Sequence, residues 1–127
     1  MKKVSLSLLL CFSFLLPNFA YAKEDSRVSH VVVVWLKEPG NLQMREKFIN
    51  ASRALETVPG VLSRHVSSVI PSEKNKIDDT FDVAVTVTFE NRKALKAYMG
   101  NKKHKKMLNQ QLKPLVNRIV VYNFGNQ

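Results

Sequence analysis

The stretch that most constrains this chain is Val28 to Lys37, VSHVVVVWLK. It is apolar, rich in β-branched residues and of ordinary strand length. Alternation puts His30, Val32, Val34 and Leu36 on one face and Val31, Val33 and Trp35 on the other. Both faces are apolar, so both must be covered. With 127 residues the chain has room for one domain of usual size. One layer of helices covers only one face of a sheet, so the strand predicts an assembly as well as a fold.

The first 22 residues read as a targeting segment. Met1-Lys2-Lys3 is a basic start and Val4 to Pro17 is an apolar run, shorter than the roughly 20 residues that span a bilayer. Ala20-Tyr21-Ala22 supplies small residues at the −3 and −1 positions of a signal-peptidase site, which predicts cleavage after Ala22 and a single mature domain over residues 23–127. The expected route is export across the inner membrane to the periplasm, and the Met-Lys-Lys start is of bacterial type. Cys11 is the only cysteine; it lies in the leader and follows Leu10, not the small residue of a lipoprotein site. The mature chain therefore has no disulfide, cysteine nucleophile or thiolate metal site, and must rely on core packing or oligomerisation.

Without Lys2 and Lys3, 18 basic residues face 10 acidic ones, a mature net charge of +8. That balance favours anionic partners such as envelope polymers, lipid head groups or acidic small molecules. Nucleic acid is the least fitting of these for an exported protein.

Asn41 caps a helix expected from Leu42 to about Thr57, with Met44, Phe48, Ala51, Leu55 and Val58 on its inner face and Arg45 among the residues left to solvent. Pro59-Gly60 ends it. Val61 to Ile70 is a more polar strand, placed nearer an edge, and Pro71 to Thr80 is a polar loop. In Phe81 to Glu90, residues Phe81, Val83, Val85, Val87 and Phe89 point one way, while Asp82, Ala84, Thr86 and Thr88 point the other. Asn91 caps a helix over Arg92 to Met99 with Leu95, Tyr98 and Met99 inside. After a break at Gly100-Asn101, a further helix carries His104, Met107, Leu108, Gln111 and Leu115 on one stripe until Pro114 stops it. Arg118 to Phe124 is the last strand. The order is that of an α+β, ferredoxin-like βαββαβ domain with a four-stranded antiparallel sheet. Its uncovered apolar face predicts a homodimer through the sheets, burying on the order of 1,600 Å².

The ordered set of these residues resembles the stress-responsive dimeric α/β-barrel (Dabb) family. The likeness is carried by His30 with its valine run, Val58-Pro59-Gly60-Val61, Val87-Thr88-Phe89-Glu90, Ala94-Leu95 and Ala97-Tyr98. It continues through His104, Leu112-Lys113-Pro114-Leu115 and Val120-Val121-Tyr122-Asn123-Phe124. It spans roughly Val28 to Phe124. The resemblance implies a ferredoxin-like monomer paired into a dimeric α/β barrel. The family includes plant stress proteins and olivetolic acid cyclase, a polyketide cyclase that works without a cofactor. The catalytic histidine and tyrosine of that enzyme fall on His104 and Tyr98, and a further pocket histidine falls on His30. Two other histidines of the enzyme fall on Val83 and Asn101, where this chain departs.

By periodicity, His30, His104 and Tyr98 face the space between sheet and helices. A neutral imidazole is a suitable base near pH 7, and a phenol is a suitable donor to a developing enolate oxygen. The three residues fit either a small-ligand pocket or a cofactor-independent cyclase- or isomerase-like enzyme with His104 as base, Tyr98 as donor and His30 assisting. In the plainer alternative they are hydrogen-bonded core residues. Two imidazoles without a carboxylate on their face imply no metal, since Asp82 is expected opposite and His65 lies on a polar, exposed strand. No cofactor is implied. Lys93, Lys96, Lys102, Lys103, Lys105 and Lys106 form a solvated basic face, which allows a third reading, attachment to an anionic envelope surface or steering of an anionic ligand.

Overall fold

The computed structural model describes residues 24–126. The expected leader, its cleavage site and Cys11 lie outside the described residues. The main elements are β1 (Val28–Leu36), α1 (Leu42–Arg53), β2 (Val61–Ser68), β3 (Val83–Phe89), α2 (Arg92–Gly100), α3 (Lys102–Met107) and β4 (Val116–Gly125). The strands form one antiparallel sheet in the order β2-β3-β1-β4. With the helices packed on one face, this is the expected ferredoxin-like βαββαβ domain.

Three asparagines start the three helices. The side chain of Asn41 accepts from the N–H of Met44, that of Asn91 from Ala94, and that of Asn101 from both Lys103 and His104. Each satisfies donors that the first helical turn leaves open. Asn101 also ends α2, so one residue makes the corner between Tyr98 and His104. Gly60, with φ +92, turns the chain into β2 in a backbone region that side-chain-bearing residues avoid.

The core lies between sheet and helices. Val34, Leu36, Val83, Val85, Val87 and Phe89 of the sheet meet Phe48, Leu55, Val58, Tyr98 and Leu112. Ser52 is also fully buried, beside the expected Ala51, which is half-buried. Beyond α1 the chain tightens into a 3-10 turn over Ala54–Thr57, so the helix proper stops at Arg53.

The opposite sheet face has two halves. Register places Val31 beside Tyr122 and Val33 beside Val120, so β1 and β4 make an apolar half, with Tyr122 and Phe124 exposed. Arg118 stacks 4.2 Å above the ring of Trp35. The half made by β2 and β3 is polar, with His65 exposed opposite Thr86.

Two expectations change at strand and helix ends. Asp82 was expected on the outer face and is instead buried on the inner side, while Phe81 packs edge-on against Trp35. The regular strand begins only at Val83, so alternation does not extend to these residues. Asp82 Oδ2 accepts from the N–H of Leu36, and Oδ1 accepts from the N–H of Gly40 and from Arg45. Arg45 is accordingly an ion-pair partner and not a solvated residue. The second change is at Gln111, which is exposed while Leu112 is buried. A π turn over Leu108–Leu112 inserts extra chain into the helical path and moves the stripe by one residue. A 3-10 turn containing Pro114 then leads directly into β4, two residues earlier than expected.

Burial alone would raise the Asp82 carboxyl, but the N–H groups of Gly40 and Leu36 and the Arg45 guanidinium outweigh it and hold it below its ordinary 3.8. Asp82→Ala should therefore lower unfolding free energy by about 3 kcal/mol, because it strands two backbone donors and a guanidinium. Urea unfolding at pH 7 measures this. In the native protein the same stabilisation should be lost as pH falls below the unfolded carboxyl value.

Candidate functional site

Tyr98, His104 and His30 come together as the sequence predicts. Tyr98 is on α2, His104 on the first turns of α3 and His30 on β1, and all three are buried. The rings of Tyr98 and His104 lie 4.3 Å apart between centroids, and those of His30 and Tyr98 lie 6.2 Å apart. Phe89 packs behind Tyr98 at 4.9 Å. Tyr98, His104 and His30 border a cavity of about 240 Å³ between helices and sheet. Val32, Phe48, Leu55, Val85, Leu108 and Leu112 supply apolar wall.

Three polar residues of the site were not anticipated. Asn123 on β4 stands opposite His30 in the sheet register, and its Oδ1 lies 2.6 Å from His30 Nδ1. With the Nδ1–H donating to this oxygen, Nε2 is the bare nitrogen of the ring. Arg64 on β2 donates through Nη1 to the Tyr98 hydroxyl at 2.9 Å and through Nη2 to the Ser52 hydroxyl at 2.6 Å. Ser52 could have been found at the fourth position after Phe48, a polar residue on the inner stripe of α1. Arg64 was hidden by a register shift between Val61 and Ser63. Without that irregularity, Val61 on the inner face would place Arg64 on the outer one; with it, Arg64 stands beside Val87 and faces the helices.

Electrostatics keep both imidazoles and the phenol of the site neutral near pH 7. Burial lowers His104 below 6.5, and the nearby His30, Arg64 and Lys105 add to the effect. Burial also lowers His30, the Asn123 bond opposes this, and Arg64 reinforces it. Burial raises the Tyr98 phenol, with Arg64 working in the other direction. Tyr98 thus accepts from Arg64 and keeps its own proton to donate. His104 Nδ1 is buried without a partner among the described residues. The arrangement combines an unprotonated base, a phenolic donor and a cation behind that donor.

Among the described residues no three histidine, cysteine, aspartate or glutamate side chains are grouped to hold an ion. Asp82 is engaged by Arg45 at the end of β1, and His65 hydrogen-bonds Ser67 on the outer face. The six lysines of α2 and α3 are all exposed, as expected, and Lys103 reaches Thr57.

The sequence model of the stress responsive A/B barrel domain (Dabb) matches residues 28–126. The chain belongs to this family. No curated protein matches the sequence. A Dabb protein of ferredoxin-like fold from Mesorhizobium loti is 19% identical, with a TM-score of 0.65 over 80% of this chain and 97% of that one. Hydroxynitrile lyase from Passiflora edulis is 17% identical, with a TM-score of 0.67 over 79% of this chain and 93% of the lyase. A dimeric ferredoxin-like protein of unknown function from Thermobifida fusca is 16% identical, with a TM-score of 0.62 over 79% of this chain and 91% of that chain. At these identities the likeness is one of fold. Within it, this Dabb domain places a His/Tyr/His group and an arginine around one cavity.

For a histidine whose folded pKa lies below its unfolded value, the unfolded chain binds more protons in the interval between the two. Stability should therefore fall as pH is lowered from 7 through the unfolded value of about 6.5. Urea unfolding at pH 7.5 and 5.5 should show the loss, and a His30→Gln, His104→Gln double variant should flatten it.

Proposed function

We propose that this Dabb protein is an exported, periplasmic homodimer that holds a small ligand between helices and sheet. The observation that carries the reading is the cavity itself: a volume of about 240 Å³ bordered by Tyr98, His104 and His30. Of the two buried histidines His30 is hydrogen-bonded to Asn123, whereas His104 Nδ1 has no partner among the described residues. The dimer reading is supported by the exposed Tyr122 and Phe124 on the apolar half of the outer face, and by relatives of the same fold described as dimeric. Export rests on the leader sequence. Among the described residues no helix is long and apolar enough to cross a membrane.

Native mass spectrometry of the protein recovered from the periplasmic fraction without denaturation tests all three parts. The expected species is a dimer of chains beginning at Lys23, carrying a small molecule that is lost in His104→Ala. A monomer overturns the assembly, and an empty dimer that takes up no apolar probe overturns the ligand reading.

Neutral His104 beside Tyr98 on the cavity wall also favours a second reading, catalysis by acid and base without a cofactor. Neutral His104 takes a proton from the carbon next to a ligand carbonyl. The electron pair of the C–H bond becomes a C=C bond, the π pair of the carbonyl moves to its oxygen, and the Tyr98 O–H donates to that oxygen. Arg64 behind the phenol offsets the charge that Tyr98 acquires. His30, held by Asn123, presents Nε2 as a second acceptor. Exchange of α-protons of simple aryl and alkyl methyl ketones in D2O, followed by NMR, measures this step. His104→Ala and Tyr98→Phe should each slow the exchange by about 10²-fold or more. Unchanged exchange in both variants overturns the catalytic reading.

A further inference from the structure

We infer that the cavity selects a small organic carboxylate with an apolar body, and that Arg64 holds the carboxylate. The inference rests on the ligand-binding reading and adds the chemical class of the ligand and its orientation.

The argument begins with charge. The residues lining the cavity include two basic side chains, Arg64 and Lys113, and no aspartate or glutamate. The half-buried guanidinium of Arg45, by contrast, is paired with Asp82. Arg64 meets only the hydroxyls of Tyr98 and Ser52. A guanidinium has five N–H donors. The two bonds leave Nε–H and one N–H on each terminal nitrogen without a partner among the described residues, and Nε is buried. A cation drawn into an apolar space without a counter-charge is costly unless something else completes it.

A ligand carboxylate would complete it. A planar guanidinium matches a carboxylate in shape as well as charge. Lys113 is exposed, so it supplies attraction on the way in and not a buried pair. The rest of the wall is apolar, so the part of the ligand beyond its carboxylate must be apolar too. The cavity exceeds the roughly 150 Å³ that accepts benzene, which suits a phenyl ring with a short side chain or a short alkyl chain. With the carboxylate at Arg64, the apolar body extends toward the other walls, and the atoms nearest the carboxylate lie by Tyr98, whose hydroxyl Arg64 already holds.

Isothermal titration calorimetry with 3-phenylpropanoate and octanoate, each against the primary alcohol of the same carbon skeleton, tests the inference. The native protein should bind each acid about tenfold more tightly than its alcohol, the size expected for hydrogen bonds to a charged group. Arg64→Gln should remove this preference while leaving alcohol binding in place, and Arg64→Lys should restore part of it. Lys113→Gln alters an exposed side chain and keeps the fold testable if the arginine variants unfold; it should weaken acid binding and leave alcohol binding unchanged. Equal binding of acid and alcohol by the native protein overturns the carboxylate inference and leaves the cavity reading standing. Binding of neither overturns both. A preference that survives intact in Arg64→Gln overturns the role of Arg64.

Discussion

One carboxylate ties together the parts that set the position of α1. Asp82 accepts from the end of β1, from the turn after that strand and from the first turn of α1 through Arg45. These are three different pieces of backbone, and their mutual placement decides how α1 lies across the sheet. Because α1 lines the cavity with Phe48, Ser52 and Leu55, the shape of the site depends on a contact at the far end of the sheet. The polar cluster is satisfied throughout, which is the condition under which a buried charge specifies geometry without weakening the fold.

The site follows a different rule. His30, Ser52, Arg64, Tyr98, His104 and Asn123 come from β1, α1, β2, α2, α3 and β4, so every main element except β3 contributes a polar group. Several of their hydrogen-bonding positions remain open, in contrast to the closed cluster at Asp82. The two clusters divide the polar interior between one that fixes the backbone and one left able to meet something else. The outer sheet face shows a comparable division, with its apolar half confined to β1 and β4.

Much of this was legible in the sequence because it depends on short-range pattern. The valine run has a period of two, the inner face of α1 has a helical period, and the Asn41 and Asn91 caps precede their helices directly. His30, Tyr98 and His104 were found for the same reason: each lies on a regular element whose inner face its neighbours reveal. The residues that were missed depend on irregularities or on long-range pairing. Arg64 turns inward because the β2 ladder shifts register near Leu62, and no local signal marks that shift. Asn123 becomes relevant only when β4 is laid beside β1. Asp82 and Gln111 were misplaced because a periodicity was carried past the point where the element changes, at Val83 and at the π turn.

That π turn has a bearing on how the family's sequences can drift. It amounts to one residue more than an α-helix needs to carry its inner face from His104 to Leu112. Losing a residue from Asn109–Gln110 would let the segment close into a regular helix with Leu112 seven residues after His104, which is two turns and keeps both on one face. Gaining a residue there would instead rotate Leu112 by about 100° away from His104. Length changes in the polar stretch of residues 71–80 have neither effect, since that loop holds no cavity residue. The helical connection can therefore be shortened by one residue with the pocket intact, but not lengthened.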